Sequence, residues 1–147
     1  MYLPSAFRQN DLTALHAQMQ ASPFALLASA GDTGVEVSHL PLLLEPGEGE
    51  FGTLYGDFAR ANGHWRGLQD GAEALAVFSG PDAYISPGWY PSKAERGKVV
   101  PTWNYIAVHA RGPVELIEEP ERLLQIVSRL SERHEAGRPQ PWAVSEA

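Results

Sequence analysis

The stretch F-A-L-L-A-S-A-G-D-T-G-V-E-V-S-H-L-P-L-L-L, residues 24–44, decides the fold of this chain. Residues 24–30 and 35–44 are apolar and partly β-branched, which favours strands. Gly31-Asp32-Thr33-Gly34 between them supplies the turn chemistry of a β-hairpin. Pro41 cannot donate a hydrogen bond to a sheet, so this part of the second run is predicted at an edge or a bulge. The sequence therefore predicts an antiparallel hairpin.

Further strands follow this hairpin, and one helix is predicted on each side of the strands. The candidate strands are residues 51–58, 74–79 and 103–117, the last bent at Gly112-Pro113. Asn10 is expected to cap a helix running to Gln20, and Pro120 suits the first position of a helix to about Ala136. Residues 59–68 suit one or two helical turns. Because no β-α-β alternation is present, the pattern indicates a mostly β, antiparallel domain, either a barrel or an α+β arrangement.

The composition excludes several classes of function. The 147 residues fit one domain and contain no cysteine, so zinc knuckles, thiol nucleophiles and disulfides are excluded. The net charge of −7 argues against direct binding to DNA or to anionic lipid, since both require a basic face. Neither a leader peptide nor an apolar run of membrane-spanning length is visible, which predicts a soluble cytoplasmic protein without a membrane partner. Residues 80–105 carry a local charge of +1, suited to a small anion.

Common catalytic and metal-binding motifs do not explain the chain. A literal G-x-G-x-x-G at Gly47, Gly49 and Gly52 contains two glutamates and leads into a strand, so a flexible hairpin loop is the better interpretation. The five histidines lack the spacing of metal ligands. Of these, His39 lies in a strand beside Ser38, where it faces a groove or makes a structural hydrogen bond. No pair of residues is recognisable from the sequence as a general acid and a general base.

Two segments carry candidate binding chemistry. Residues 80–105 hold five aromatic residues, four prolines and three basic residues, which suits either a site for a flat ring or an aromatic core corner beside a solvated loop. Residues 56–66 pass from a strand into a helical turn, with Arg60 and Asn62 at its start. An arginine at such a turn suits an anion site, although a lone surface arginine is common.

Four motifs carry a family resemblance that covers essentially the whole chain. They are S-H-L-P at residues 38–41, G-x-x-A-R-A-N at 56–62, G-P-D-A-Y-I-S-P-x-W-Y-P-S-K at 80–93 and G-K-V-V-P-T-W-N-Y-x-A-V-H-A at 97–110. The chain resembles the PaiB family of FMN-binding split-barrel proteins, often labelled negative transcriptional regulators. The resemblance implies a mostly β, antiparallel split barrel with two or three flanking helices, spanning residues 1–147 as one domain, and a homodimer with FMN in the groove between subunits.

The resemblance also implies which residues contact FMN. Arg60 and Asn62 are carried over as phosphate contacts, Ser38 and His39 as contacts from a groove strand, and Lys93, Thr102 and Trp103 as groove residues. This chain departs from the family pattern at Asp57, where the family has histidine, and at Gly63-His64, where it has Pro-Gln. The family's usual C-terminal extension is also absent after the tail that holds Trp142.

Other functions remain compatible with this resemblance. Split barrels include flavin-dependent oxidoreductases, in which FMN performs the chemistry. A repressor that contacts DNA is suggested by the family label alone, and no convincing helix-turn-helix is present. A haem-binding split barrel is the remaining alternative, with His39 or His109 as the ligand.

Overall fold

A computed structural model of the protein describes residues 1–31, 34–68 and 71–146. Its strands are β1 (Phe24–Gly31), β2 (Gly34–Pro41), β3 (Leu43–Glu45), β4 (Thr53–Tyr55), β5 (Glu73–Ile85) and β6 (Thr102–Pro113). Its α-helices are α1 (Leu12–Ala21), α2 (His64–Gly67), α3 (Ser92–Arg96) and α4 (Pro120–Glu135). Single 3-10 turns lie at Ser5–Phe7, Pro87–Trp89 and Val144–Glu146.

The predicted hairpin is confirmed as strands β1 and β2, which pair antiparallel from Phe24 opposite Pro41 to Gly31 opposite Gly34. Asp32 and Thr33 of the predicted turn lie outside the described residues. The second apolar run is not one strand, because β2 ends at Pro41 and β3 begins two residues later. The intervening Leu42 donates its backbone N–H to the carbonyl of Pro23 at 2.9 Å.

Strands β1, β2, β5 and β6 form an antiparallel sheet in the order β2-β1-β5-β6, and β3 pairs with β4 in a separate ladder. Strand β5 extends to Ile85, well beyond the predicted residue 79, because a register shift between Ser79 and Asp82 lets it continue beside β6. Strand β6 ends at Pro113, where the sequence predicted a bend. The predicted strand over residues 51–58 is reduced to three residues in β4.

One face of the four-stranded sheet is covered by the rest of the chain. Alternate residues of β1, β5 and β6, such as Ala25, Phe78 and Val108, point into the main core, where Phe78 is fully buried. Helix α1 and the β3–β4 hairpin close this core with Met19 and Leu44. We call this side the covered face of the sheet, and the opposite side the bare face.

Both long helices are confirmed, with a correction at the first cap. The N-cap of α1 is Asp11, which accepts a hydrogen bond from the Thr13 N–H at 3.0 Å, and not the predicted Asn10. Helix α4 packs Ile126 and Leu130 against β3, and Arg129 forms an ion pair with Glu45.

The β3–β4 hairpin also holds Tyr55, whose pKa is shifted from its usual value. The hydroxyl of Tyr55 donates to the Glu48 carboxylate at 2.6 Å. This hydrogen bond, together with burial and the charge of Glu48, raises the pKa of the Tyr55 phenol above its usual value.

The mostly β, antiparallel class with flanking helices is therefore confirmed, as a four-stranded sheet of the β-rich type found in split barrels. Closure into a barrel stays a prediction. Within the three described ranges, no helix is both long and apolar enough to cross a membrane.

Candidate functional site

A polar cluster lies where the turn before α2 meets strands β1 and β2. The His64 ring is 4% exposed and lies between two serines: Nδ1 is 2.8 Å from Ser38 Oγ, and Nε2 is 2.8 Å from Ser29 Oγ. Phe58 packs edge-on against the same ring, with centroids 5.5 Å apart. We call Ser29, Ser38, Asn62 and His64 the polar corner.

Asn62 joins the turn to the strand. Its Nδ2 donates to Ser38 Oγ at 3.0 Å, and its Oδ1 accepts the backbone N–H of His64 at 3.0 Å. Asn62 is half-buried. The sequence-predicted residues Ser38 and Asn62, which are 24 positions apart, are therefore brought into direct contact.

Two charged side chains lie beside the polar corner on the same turn. Asp57 and Arg60 are both exposed, and the carbonyl of Arg60 accepts a hydrogen bond from the Trp65 indole at 3.3 Å. Helix α2 has only four residues, so an anion at this turn would depend on side chains more than on a helix terminus. The Arg66 guanidinium lies 5.1 Å from the ring centroid of Trp65.

The predicted groove contacts Ser38 and His39 lie on opposite faces of β2. Ser38 is 8% exposed on the covered face, within the polar corner. His39 is exposed on the bare face, where its ring stacks on Phe24 with centroids 6.1 Å apart. A single groove on one side of this sheet therefore meets one of the two residues, and the assignment of both to FMN stays a prediction.

The other predicted residues lie at the far end of the β5–β6 pair, which we call the arm (residues 82–105). Trp103 is exposed, donates its indole N–H to Asp82 Oδ1 at 2.7 Å, and packs against Tyr84 at 6.1 Å between centroids. Thr102 pairs with Ile85 at the start of β6. Lys93 lines an open depression of about 530 Å³ together with the 3-10 turn at Pro87–Trp89.

Within one chain, the polar corner and the arm do not form one site. Ser38 pairs with Leu27, Leu27 pairs with Ala76, and Ala76 pairs with Ala110. Ser38 and Ala110 are therefore separated by three strand spacings of about 4.8 Å each. Trp103 lies seven residues further along β6, or roughly 23 Å at 3.3 Å per residue. Its side chain also lies on the other face of the sheet, because it shares the alternation of the exposed His109.

Sequence reasoning missed His64 and Ser29. His39 was predicted because it lies within the S-H-L-P motif, whereas the buried, hydrogen-bonded histidine of this region is His64. The available signal was Asn62-x-His64 where the segment after β4 meets the start of α2, together with a serine in each strand of the neighbouring hairpin. Deciding that these residues meet requires the packing of α2 on β2, which local sequence does not specify.

The histidines raised as haem ligands share the bare face. The register places His39 and His109 in one row, through Leu26 and Val77, about 14 Å apart across three strand spacings. Across the described part of the chain, no three His, Asp or Glu residues group as a metal site would require.

Comparison with known proteins identifies the family of the chain. The profile of the family described as "Putative FMN-binding domain" matches residues 1–147. An uncharacterized protein of Saccharomyces cerevisiae is 34% identical over 110 residues, covering 74% of this chain and 65% of that protein. Protease synthase and sporulation protein PAI 2 of Bacillus subtilis is 30% identical over 141 residues, covering 96% of this chain and 65% of that protein.

A third relative, an uncharacterized protein of Emericella nidulans, is 29% identical over an alignment of 182 residues that covers all of this chain and 72% of that protein. The chain thus spans slightly under two thirds of the length of the yeast and Bacillus relatives. Because the family profile covers the whole chain and the motifs agree with it, the protein is a member of this FMN-binding family, the PaiB family.

Proposed function

We propose that this protein binds FMN as a homodimer that associates through the bare faces of its sheets, with each FMN held between the polar corner of one copy and the arm of the other. The single observation that carries the proposal is the bare face of the sheet. Six large side chains lie on it and each is about half exposed or more: Phe24, Val35, Val37, Tyr84, Trp103 and Tyr105. Several large apolar side chains exposed on one face of a sheet are typical of an interaction surface.

The alternation of the paired strands places these six residues on one side. On β2, His39 and Val37 lie on the same side. Leu26 of β1 pairs with His39, Val77 of β5 pairs with Leu26, and His109 of β6 pairs with Val77, so this side continues across all four strands. A second copy of the same face is the occupant that fits, because aromatic residues flanked by polar groups are typical of interfaces between subunits. Such an interface is expected to bury about 2,000 Å² or more.

The polar corner and the adjoining turn fit the phosphate of FMN. Arg60 is exposed on the turn, and Asn62 is half-buried. An arginine and an amide are donors suited to phosphate oxygens. Asp57 on the same turn is an acceptor and opposes this role, so the affinity for phosphate is set by the balance of Arg60 against Asp57.

The arm fits the ring system of FMN. Trp103 and Tyr84 supply flat faces, while Thr102 and Lys93 supply polar groups nearby. Because the polar corner and arm of one chain are far apart, a second copy must bring its arm to the corner of the first for one FMN to meet both. Bound FMN would supply the capacity to accept and return electrons, and these residues would orient the ring and limit its contact with water.

The label of transcriptional regulator does not require this chain to bind DNA itself. With 11 basic and 18 acidic residues, few cations are available to replace phosphate counterions. We expect weak, non-specific DNA binding at physiological salt in an electrophoretic mobility assay. A sequence-specific complex at nanomolar protein would favour the repressor hypothesis instead.

The direct test is a titration with FMN, followed by flavin fluorescence, with riboflavin as the ligand that lacks the phosphate. Arg60→Ala should weaken FMN binding by about tenfold, because one charge-assisted contact is lost, and leave riboflavin binding unchanged. Arg66→Ala is the matched control, since Arg66 is exposed on the same segment and lies against Trp65. The absence of FMN binding at micromolar concentrations in the wild-type dimer would disprove the proposal.

A further inference from the structure

Hydrogen-bond chemistry fixes the orientation of the Asn62 amide. The backbone N–H of His64 can only donate, so the Asn62 atom facing it at 3.0 Å is Oδ1. The Nδ2 group then faces Ser38 Oγ at 3.0 Å and donates one of its two hydrogens there. Across residues 1–31, 34–68 and 71–146, Ser38 is the acceptor that Nδ2 reaches, which leaves its second hydrogen available to a ligand.

The same reasoning fixes the proton of His64. Ser38 Oγ accepts from Asn62, so its own hydrogen needs another acceptor, and an unpaired hydroxyl would be costly at a residue only 8% exposed. His64 Nδ1, at 2.8 Å, is that acceptor. The ring hydrogen is therefore on Nε2, which donates to Ser29 Oγ at 2.8 Å. Donation runs in one direction, from Asn62 through Ser38 and His64 to Ser29.

We propose that His64 is a positioning residue for the phosphate contact Asn62. Neutral, with its hydrogen on Nε2, it holds the Ser38 hydroxyl, and Ser38 in turn holds Nδ2 of Asn62. The backbone N–H of His64 holds the other end of the same amide. The second Nδ2 hydrogen of Asn62 is thereby fixed in one direction, toward the phosphate. This inference rests on the proposed FMN site for its function, although the positioning itself does not require a ligand.

Packing around His64 also supports a single orientation of its ring. His64 is 4% exposed, and Phe58 restricts its rotation from the edge, so both ring nitrogens stay with their serines. A merely space-filling residue at this position would need neither serine. Substitution by phenylalanine keeps a ring of similar size and removes both hydrogen bonds. Substitution by asparagine keeps an acceptor two bonds beyond Cβ, the position of Nδ1, and so can still reach Ser38.

The positioning is tested without FMN, on the full chain, by nitrogen-15 NMR. The free protein should show His64 with an unprotonated Nδ1 and a protonated Nε2. The Nδ2 hydrogen of Asn62 that is donated to Ser38 should exchange slowly with water in the wild type and in His64→Asn, and rapidly in His64→Phe. A protonated Nδ1, or equally slow exchange in His64→Phe, would overturn the inference. If His64→Phe does not fold, Ser38→Ala is measured in its place, because it removes the hydroxyl that links His64 to Asn62.

The role toward phosphate is tested by a double-mutant cycle on FMN affinity. His64→Phe should weaken FMN binding about fivefold in the wild-type background, should have no further effect in Asn62→Ala, and should leave riboflavin binding unchanged. His64→Asn should restore the affinity. An equal loss in both backgrounds would show that His64 does not act through Asn62. If the wild-type protein fails to bind FMN, the proposed function fails, while the NMR result still decides whether His64 positions Asn62.

Discussion

The two faces of the four-stranded sheet differ in how far the rest of the same chain covers them. On the covered face, the main core is closed by α1 and the β3–β4 hairpin, and the polar corner links Ser29, Ser38, Asn62 and His64. On the bare face, Val37, Tyr105 and Trp103 remain about half exposed. The core residues of the covered face are thus buried within one protomer, whereas the bare face presents large apolar side chains to solvent.

This difference separates two kinds of substitution. Changes on the covered face should alter the free energy of unfolding and leave association intact, because every contact there is internal. Changes on the bare face should alter association and leave the folded protomer intact. In the proposed site, FMN binding would draw on both faces, since the residues proposed to contact the phosphate adjoin the covered face and those proposed to contact the ring lie on the arm.

The largest effect is expected for Tyr105→Glu on the bare face. A charge at the centre of an aromatic interface should weaken the dimer by about 2 to 4 kcal/mol, or roughly 30- to 1,000-fold in the dissociation constant. Sedimentation equilibrium measures this constant, and the unfolding temperature of the protomer should stay within about 2 °C.

The matched control is Leu124→Glu, at an exposed apolar position of α4 away from the sheet. It should leave the dimer unchanged. If Leu124→Glu separates the subunits and Tyr105→Glu does not, the interface lies on α4, and the comparison of the two faces is wrong.

On the covered face, Ser38→Ala should destabilise the protomer. It leaves His64 Nδ1 and Asn62 Nδ2 without their shared oxygen, at a cost of about 2 kcal/mol. For a chain of this length, that lowers the unfolding temperature by roughly 4 to 8 °C in calorimetry. Ser79→Ala, at an exposed serine of β5, is the control and should change it by less than about 2 °C. A stable Ser38→Ala protein would mean that the polar corner contributes little to folding.

Local patterns predicted the features that depend on neighbours in the sequence. The Gly31–Gly34 turn and the apolar runs beside it sufficed for the β1–β2 hairpin, although the end of β2 at Pro41 was not predicted. Pro120 at the start and Gly137 after the end bounded α4 to within about one residue. Asn10 and Asp11 are adjacent residues of similar capping ability, so the sequence could not decide between them.

Features that depend on distant residues were not predictable in the same way. The extension of β5 past Ser79 relies on β6 being available as a pairing partner across a register shift. The meeting of His64 with two serines 26 and 35 residues away requires α2 to pack on the hairpin. That Ser38 and His39 face opposite sides follows from strand alternation. Which side is covered follows only from where α1 and the β3–β4 hairpin pack.

A smaller effect is expected for Asp57→His beside the polar corner. In the proposed site, the exposed Asp57 carboxylate would repel a phosphate bound by Arg60, and histidine removes that charge. Solvent screening limits the gain to about 1 kcal/mol, or roughly fivefold tighter FMN binding by fluorescence titration. Riboflavin affinity should not change. Equal improvement for both ligands would place residue 57 near the ring instead of the phosphate.

The smallest effect concerns Asp82, which orients Trp103 on the arm. The indole N–H donates to Asp82 at 2.7 Å, yet the ring is about half exposed, so this bond contributes little to folding. Its expected role is to hold the ring ready for the second copy, because ordering a loose side chain at an interface costs about 0.5 to 1.5 kcal/mol. Asp82→Ala should therefore weaken the dimer by about two- to tenfold in sedimentation equilibrium, whereas Asp82→Asn keeps an acceptor and should stay within twofold of the wild type. Equal dimer affinity for all three proteins would show that Trp103 needs no such support. A loss well beyond tenfold in Asp82→Ala would mean that the carboxylate itself contacts the second copy, and the bare face would then be a more polar interface than its exposed aromatic residues indicate.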